Sequence, residues 1–103
     1  MSVNSDHYRQ LDRPECWDWL IENFGLSFVA AWDALTACKY KYRAGEKTGE
    51  SLEDDNQKMD DYLLHAHKLL LRISTEAPDD FGRTFDVIQT AVRLCGKDPM
   101  HTD

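Results

Sequence analysis

The chain has 103 residues and a formal net charge of −7, which bounds it to one domain and excludes a generally basic nucleic-acid binder. Hydrophobic residues make up 42% and aromatics 11%, an ordinary globular balance that excludes wholesale disorder. No stretch approaches about 18 apolar residues, so no membrane span is expected. Residues 1–7 have neither the basic nor the apolar part of a signal peptide, so none is expected there.

Four helical patterns follow one another, with no alternating strand pattern and no internal repeat. The first covers about residues 14–24. Asp12 is a candidate cap and Pro14 suits a first turn. Trp17, Leu20, Ile21 and Phe24 share one apolar face, and Gly25 ends the helix. The second covers about residues 28–43, with Ser27 as N-cap and Gly45 as the stop. Phe28, Ala31, Trp32, Leu35, Cys38 and Tyr42 form a continuous stripe and are expected to face the core.

The third runs from Ser51, a candidate cap, to about Thr75, because Pro78 disfavours helix at Ala77. Its inward face is Met59, Tyr62, Leu63, Ala66, Leu69, Leu70 and Ile73. Leu64 and Leu71 spread apolar surface beyond that stripe. A helix apolar on two faces needs two partners, so homo-oligomerisation through this third helix is expected. The fourth covers about residues 81–95, capped by Asp79 or Asp80, with Phe81, Phe85, Ile88, Val92 and Cys95 inward and Gly96 as the stop. The expected fold is all-α, a small bundle of about four helices. It forms one domain with an ordered core over residues 6–95 and loose ends at 1–5 and 97–103. Cys16, Cys38 and Cys95 include no Cys-x-x-Cys pair, so reduced thiols are expected.

Charge is unevenly distributed. Residues 39–47 hold Lys39, Lys41, Arg43 and Lys47 against Glu46 alone, whereas residues 48–61 hold six carboxylates against Lys58. Helix-dipole complementarity explains part of this. The cationic run is also interleaved with aromatics. Lys39 and Arg43 are four apart and share a face that can clamp a phosphate. Tyr42 falls with the core stripe, so Tyr40 points elsewhere and is placed to stack on a base or at an interface. Asp54 and Asp55 begin the third helix and are candidate Mg²⁺ ligands through oxygen, with waters and substrate phosphates completing the shell. His65 and His67 are two apart on a helix and face different directions. By spacing alone His7 reads as an ordinary surface residue. No Walker loop, dinucleotide fingerprint, serine elbow or Cys-His signature is present.

Three segments in order resemble a known family. They are Asp6-His7-Tyr8, then Lys39-Tyr40-Lys41-Tyr42-Arg43-Ala44-Gly45-Glu46-Lys47, then Asp54-Asp55 with Lys58 and Tyr62-Leu63. Together they resemble the SaV-like family of small bacteriophage domains. Its pattern is His-Tyr, then Lys-Tyr-x-x-Arg-Ala-Gly-x-Lys, then Glu-Asp-x-x-Lys-x-x-x-Tyr-Leu. The likeness spans about residues 6–70. It departs at Asp54, where the family has Glu, at Thr36, where it has Asn, and at Asp61, where it has Trp.

The family includes a phage nucleotide kinase without a Walker loop. The resemblance therefore implies an intracellular phage protein, acting in the cytoplasm of the infected bacterial host, that binds a nucleotide. It extends to a nucleoside monophosphate kinase-like, Mg²⁺-dependent phosphoryl transfer. Lys39, Arg43 and Asp55 would be catalytic. Lys39, Tyr40, Arg43, Lys47, Lys58, His7 and Tyr8 would bind the nucleotide and its phosphates, and Asp54 and Asp55 the Mg²⁺. The alternative is a non-catalytic acidic phage effector, a DNA mimic or anti-defence inhibitor. It would bind a host nucleic-acid-handling protein through Asp54, Asp55, Asp60, Asp61, Asp79, Asp80 and Asp86. Neither reading involves a membrane or direct nucleic-acid binding.

Overall fold

A computed structural model describes residues 14–44 and 52–96 of the chain. Among these residues there are four α-helices, one turn of 3-10 helix and no strand. Helix α1 is Pro14–Phe24, α2 is Leu26–Arg43, α3 is Leu52–Glu76 and α4 is Phe81–Leu94. The 3-10 turn, Pro78–Asp80, joins α3 to α4. The protein is a small all-α bundle, as its periodicity predicts. The predicted cap Ser51, and residues 1–5 and 97–103, lie outside the described residues.

One residue makes the α1–α2 corner. The Gly25 amide donates to the Ile21 carbonyl at 2.8 Å, and the Gly25 carbonyl accepts from Val29 at 3.3 Å. Gly25 therefore ends one helix and begins the next. Its φ of +90° is a conformation that a Cβ disfavours. Helix α2 consequently starts at Leu26, two residues before its predicted start. Ser27 lies inside it and does not cap it. Its hydroxyl donates instead to Asp80 Oδ2 at 3.0 Å, tying α2 to the 3-10 turn. Helix α3 stops at Glu76 because Ala77 precedes proline. Asp80 occupies the N-cap position of α4 without a side-chain capping bond. Beyond Cys95, Gly96 adopts φ +75° and closes α4.

Helices α2 and α3 form the largest interface, and α4 packs across both. Met59, Leu63, Ala66, Leu69, Leu70 and Ile73 of α3 are buried, with Ile88 and Val92 of α4 and Cys95 just past its end. Tyr62, Phe81 and Phe85 are half-buried against this core, as are Trp17, Leu20 and Ile21 of α1. Phe24, expected on the same α1 face, is exposed.

Helix α2 is the main departure. The predicted inward stripe lies largely outside: Phe28, Trp32, Leu35 and Tyr42 are exposed. The buried face is Val29, Ala30, Ala34 and Ala37, together with Asp33. The interaxial distance of two helices depends on the side chains at their contact. The alanines allow the leucine-rich ridge of α3 to seat closely, whereas a ridge of Phe, Trp and Tyr would hold it away. Helix α2 is thus apolar on two faces, and the smaller side chains won the core. On α3, Leu64 and Leu71 are exposed, so its second apolar face also points outward. No described helix is long and apolar enough to cross a membrane.

Candidate functional site

The α2–α3 seam carries a line of aromatic and charged side chains on one side. Trp32, Thr36, Tyr40 and Arg43 repeat at helical spacing on α2. Tyr62, Lys58 and Asp55 do so on the antiparallel α3. The Tyr40 and Tyr62 rings stack with centroids 5.9 Å apart and planes 19° from parallel. Trp32 meets the Tyr62 ring edge-on at 5.7 Å, and Trp17 of α1 packs against it at 6.1 Å.

Three cations from two helices surround the Tyr40 ring. Arg43 Cζ lies 4.8 Å from its centroid, Lys39 Nζ 5.0 Å and Lys58 Nζ 5.5 Å. Each is attracted to the ring face, but the three repel one another, and an anion placed among them relieves that repulsion. The cluster therefore presents three cations together to an anionic group that approaches it. Sequence periodicity assigned the two tyrosines the other way round. Tyr42 is the solvent-facing ring, 86% exposed, and Tyr40 is half-buried at the centre of the cluster.

Asp55 belongs to the core-facing stripe of α3 and is 0% exposed. Neither of its carboxylate oxygens has a hydrogen-bond partner. Burying such a group unsatisfied costs about 1–3 kcal/mol, more when it is charged. The antiparallel register set by Asp33 with His65 and Tyr40 with Lys58 brings Asp55 level with Arg43. Asp54 is exposed instead, because successive helical residues diverge by about 100°. Among the described residues no three His, Cys, Asp or Glu side chains group as a metal site. Asp55, with both carboxylate oxygens lacking a hydrogen-bond partner, has the hard oxygen donors that a cation such as Mg²⁺ would require. His7, Tyr8 and Lys47 lie outside the described residues.

Farther along the seam is a polar centre that sequence reasoning missed. Asp33 is fully buried on the alanine face of α2. Its Oδ1 accepts from Trp17 Nε1 at 2.9 Å, and its Oδ2 accepts from His65 Nδ1 at 2.5 Å. The Trp17 and His65 rings lie 4.2 Å apart. One carboxylate thus ties α1, α2 and α3 together. The available signal was an Asp at the helical spacing of Ala30, Ala34 and Ala37. His67 points away, as its spacing from His65 predicts, and bonds the Leu63 carbonyl through Nδ1 at 2.7 Å. Cys16, Cys38 and Cys95 form no disulfide.

Beside the aromatic line is a groove of about 440 Å³, lined by Cys16, Trp19, Leu20, Phe24, Val29, Trp32 and Tyr62. Tyr62 is shared by this groove and the cation cluster. No family model matches the chain, and no curated protein or solved structure matches it.

Proposed function

We propose that the protein binds a nucleotide along the α2–α3 seam. The observation that carries this reading is the convergence of Lys39, Arg43 and Lys58 on the Tyr40 ring. Cations beside stacked aromatic rings suit a ligand with phosphates at one end and a planar group at the other. The aromatic groove that begins at Tyr62 offers the planar group a stacking surface. The resemblance to the SaV-like phage domains points to the same residues. It extends the proposal to an intracellular phage protein of the infected host's cytoplasm, with nucleoside monophosphate kinase-like activity.

In that activity Lys39, Arg43 and Lys58 would hold the phosphates and offset charge developing on the transferred group. Asp55 would hold Mg²⁺, which supplies further neutralisation of phosphate charge when bound. The effector reading draws on exposed Asp54, Asp60 and Asp61 at the start of α3 and on Asp79 at the 3-10 turn. About 15 residues of α3, roughly 22 Å, separate Asp61 from the helix end at Glu76 beyond which Asp79 lies, and exposed Asp86 belongs to a different helix. A shared acidic surface therefore does not support that reading, and the nucleotide reading is preferred.

A thermal-shift panel of nucleoside mono-, di- and triphosphates, with and without Mg²⁺, tests the proposal. At a hundredfold excess over Kd a ligand stabilises the native state by about 2.7 kcal/mol. A selective shift is expected, lost in Arg43→Ala at unchanged helical content. A shift retained in Arg43→Ala, or no shift with any nucleotide, overturns it.

A further inference from the structure

The outward face of α2 is an apolar surface left without a partner among the described residues. Phe28 is 74% exposed, Leu35 64% and Tyr42 86%. Trp19, Phe24 and Trp32, which line the aromatic groove of the proposed nucleotide site, border this surface and are not counted in it. Clustered exposed apolar side chains rimmed by charge mark interaction sites. We propose that this face seats a second copy of the chain, with the two α2 helices antiparallel across a two-fold axis near Leu35.

Charge selects that occupant and that direction. The Arg43 end of α2 carries exposed Lys39 and half-buried Arg43, while Lys41 reaches toward Gly96 on the α4 side. The Leu26 end abuts the acidic turn with Asp79 and Asp80, and Asp80 accepts from Ser27. Arg83 shares that end and offsets part of its charge. An antiparallel pairing sets the basic end of each copy against the acidic end of the other. A parallel pairing stacks like charges at both ends. An isologous contact satisfies both ends at once, because each surface meets its own copy.

Shape agrees with charge. The two-fold axis brings Tyr42 of one copy over Phe28 of the other. Phe28 borders a cavity of about 400 Å³ whose apolar wall is Leu26, Ala31 and Val87 and whose polar wall is Ser27, Asp80 and Arg83. The most exposed large apolar side chain thereby meets that apolar wall. The outward leucines of α3 make a smaller interface: Leu64 and Leu71 alone flank exposed Lys68, whereas on α2 exposed Lys39 interrupts the surface between Leu35 and Tyr42 and Phe28 extends it. The pairing concerns assembly and goes beyond nucleotide binding.

Sedimentation velocity over a concentration series tests it, with circular dichroism to confirm folding. The wild-type chain is expected to dimerise. Leu35→Lys places like charges across the axis and should raise the dimer dissociation constant about 30-fold or more. Tyr42→Ser should raise it about tenfold, and Leu64→Lys should leave it unchanged. Both α2 positions are exposed, so neither change threatens the fold. Added salt should weaken the dimer by screening the facing ends. A wild-type monomer at every concentration overturns the proposal. So does assembly that survives Leu35→Lys but is lost in Leu64→Lys, or a dimer indifferent to salt.

Discussion

Two carboxylates are buried along the same helix–helix seam, and the protein treats them differently. Asp33 accepts one hydrogen bond from Trp17 and one from His65. Asp55 is equally buried and accepts none. A satisfied buried carboxylate organises its neighbours, because removing it strands their donors. An unsatisfied one is a standing cost in the free protein, and groups of that kind cluster where a ligand later supplies the partner. Asp33 thus belongs to the architecture and Asp55 to the proposed site. The cations about Tyr40 lie between them, nearer Asp55.

This contrast is open to direct attack. The largest effect is expected from Asp33→Ala. It leaves the Trp17 indole N–H and the His65 ring without their acceptor and loosens α1 from the bundle. Denaturant unfolding should show a loss of about 2–4 kcal/mol. A loss below about 0.5 kcal/mol would show that Asp33 organises nothing. Asp55→Leu should act in the opposite direction. Replacing an unpartnered buried carboxylate by an apolar group should raise stability by about 1–2 kcal/mol while removing the Mg²⁺-dependent part of any nucleotide shift. A destabilised variant would break the comparison, because it would mean that Asp55 is structural too.

The smallest effect is expected at the far end of α3, where charge is paired at the surface. Arg72 Nε and Nη2 donate to Glu76 at 3.0 and 3.2 Å. The Arg72 hydrogen bond, reinforced by its charge, holds the Glu76 carboxyl below its usual value. A carboxyl lowered by folding adds stability above its unfolded pKa and loses it as pH falls through the folded one. Glu76→Gln should therefore slightly flatten the acid limb of a Tm-against-pH profile and leave Tm near neutral pH almost unchanged, as for other exposed pairs. A large drop in Tm at neutral pH would contradict this.

How legible each feature was depended on how local its cause is. Gly25, Pro78 and Gly96 act through their own backbone preferences, so helix ends near them were readable to within a residue or two. The α3 stripe from Met59 to Ile73 was readable because only one face of that helix combines regular spacing with bulk. On α2 the same reasoning chose the wrong face. It ranked Phe28, Trp32, Leu35 and Tyr42 above Ala30, Ala34 and Ala37 by hydrophobicity, and hydrophobicity alone says nothing about how closely a neighbouring helix must approach. The reversal of Tyr40 and Tyr42 followed from that one error. Lys39, Arg43 and Lys58 were singled out from charge pattern and family resemblance, but their meeting on one ring was not visible in the chain.

What the sequence determined by itself is the all-α class, the four helices of the described residues, their breaks and the uneven charge. Each arises from backbone preferences or from periodicity within about a dozen residues. Tertiary structure alone decided which α2 face is buried, that Asp33 finds two donors and Asp55 none, and that cations from two helices share Tyr40. Those outcomes depend on the antiparallel register of α2 and α3. That register is set by the fit of small side chains against large ones, a property of the pair that neither helix carries alone.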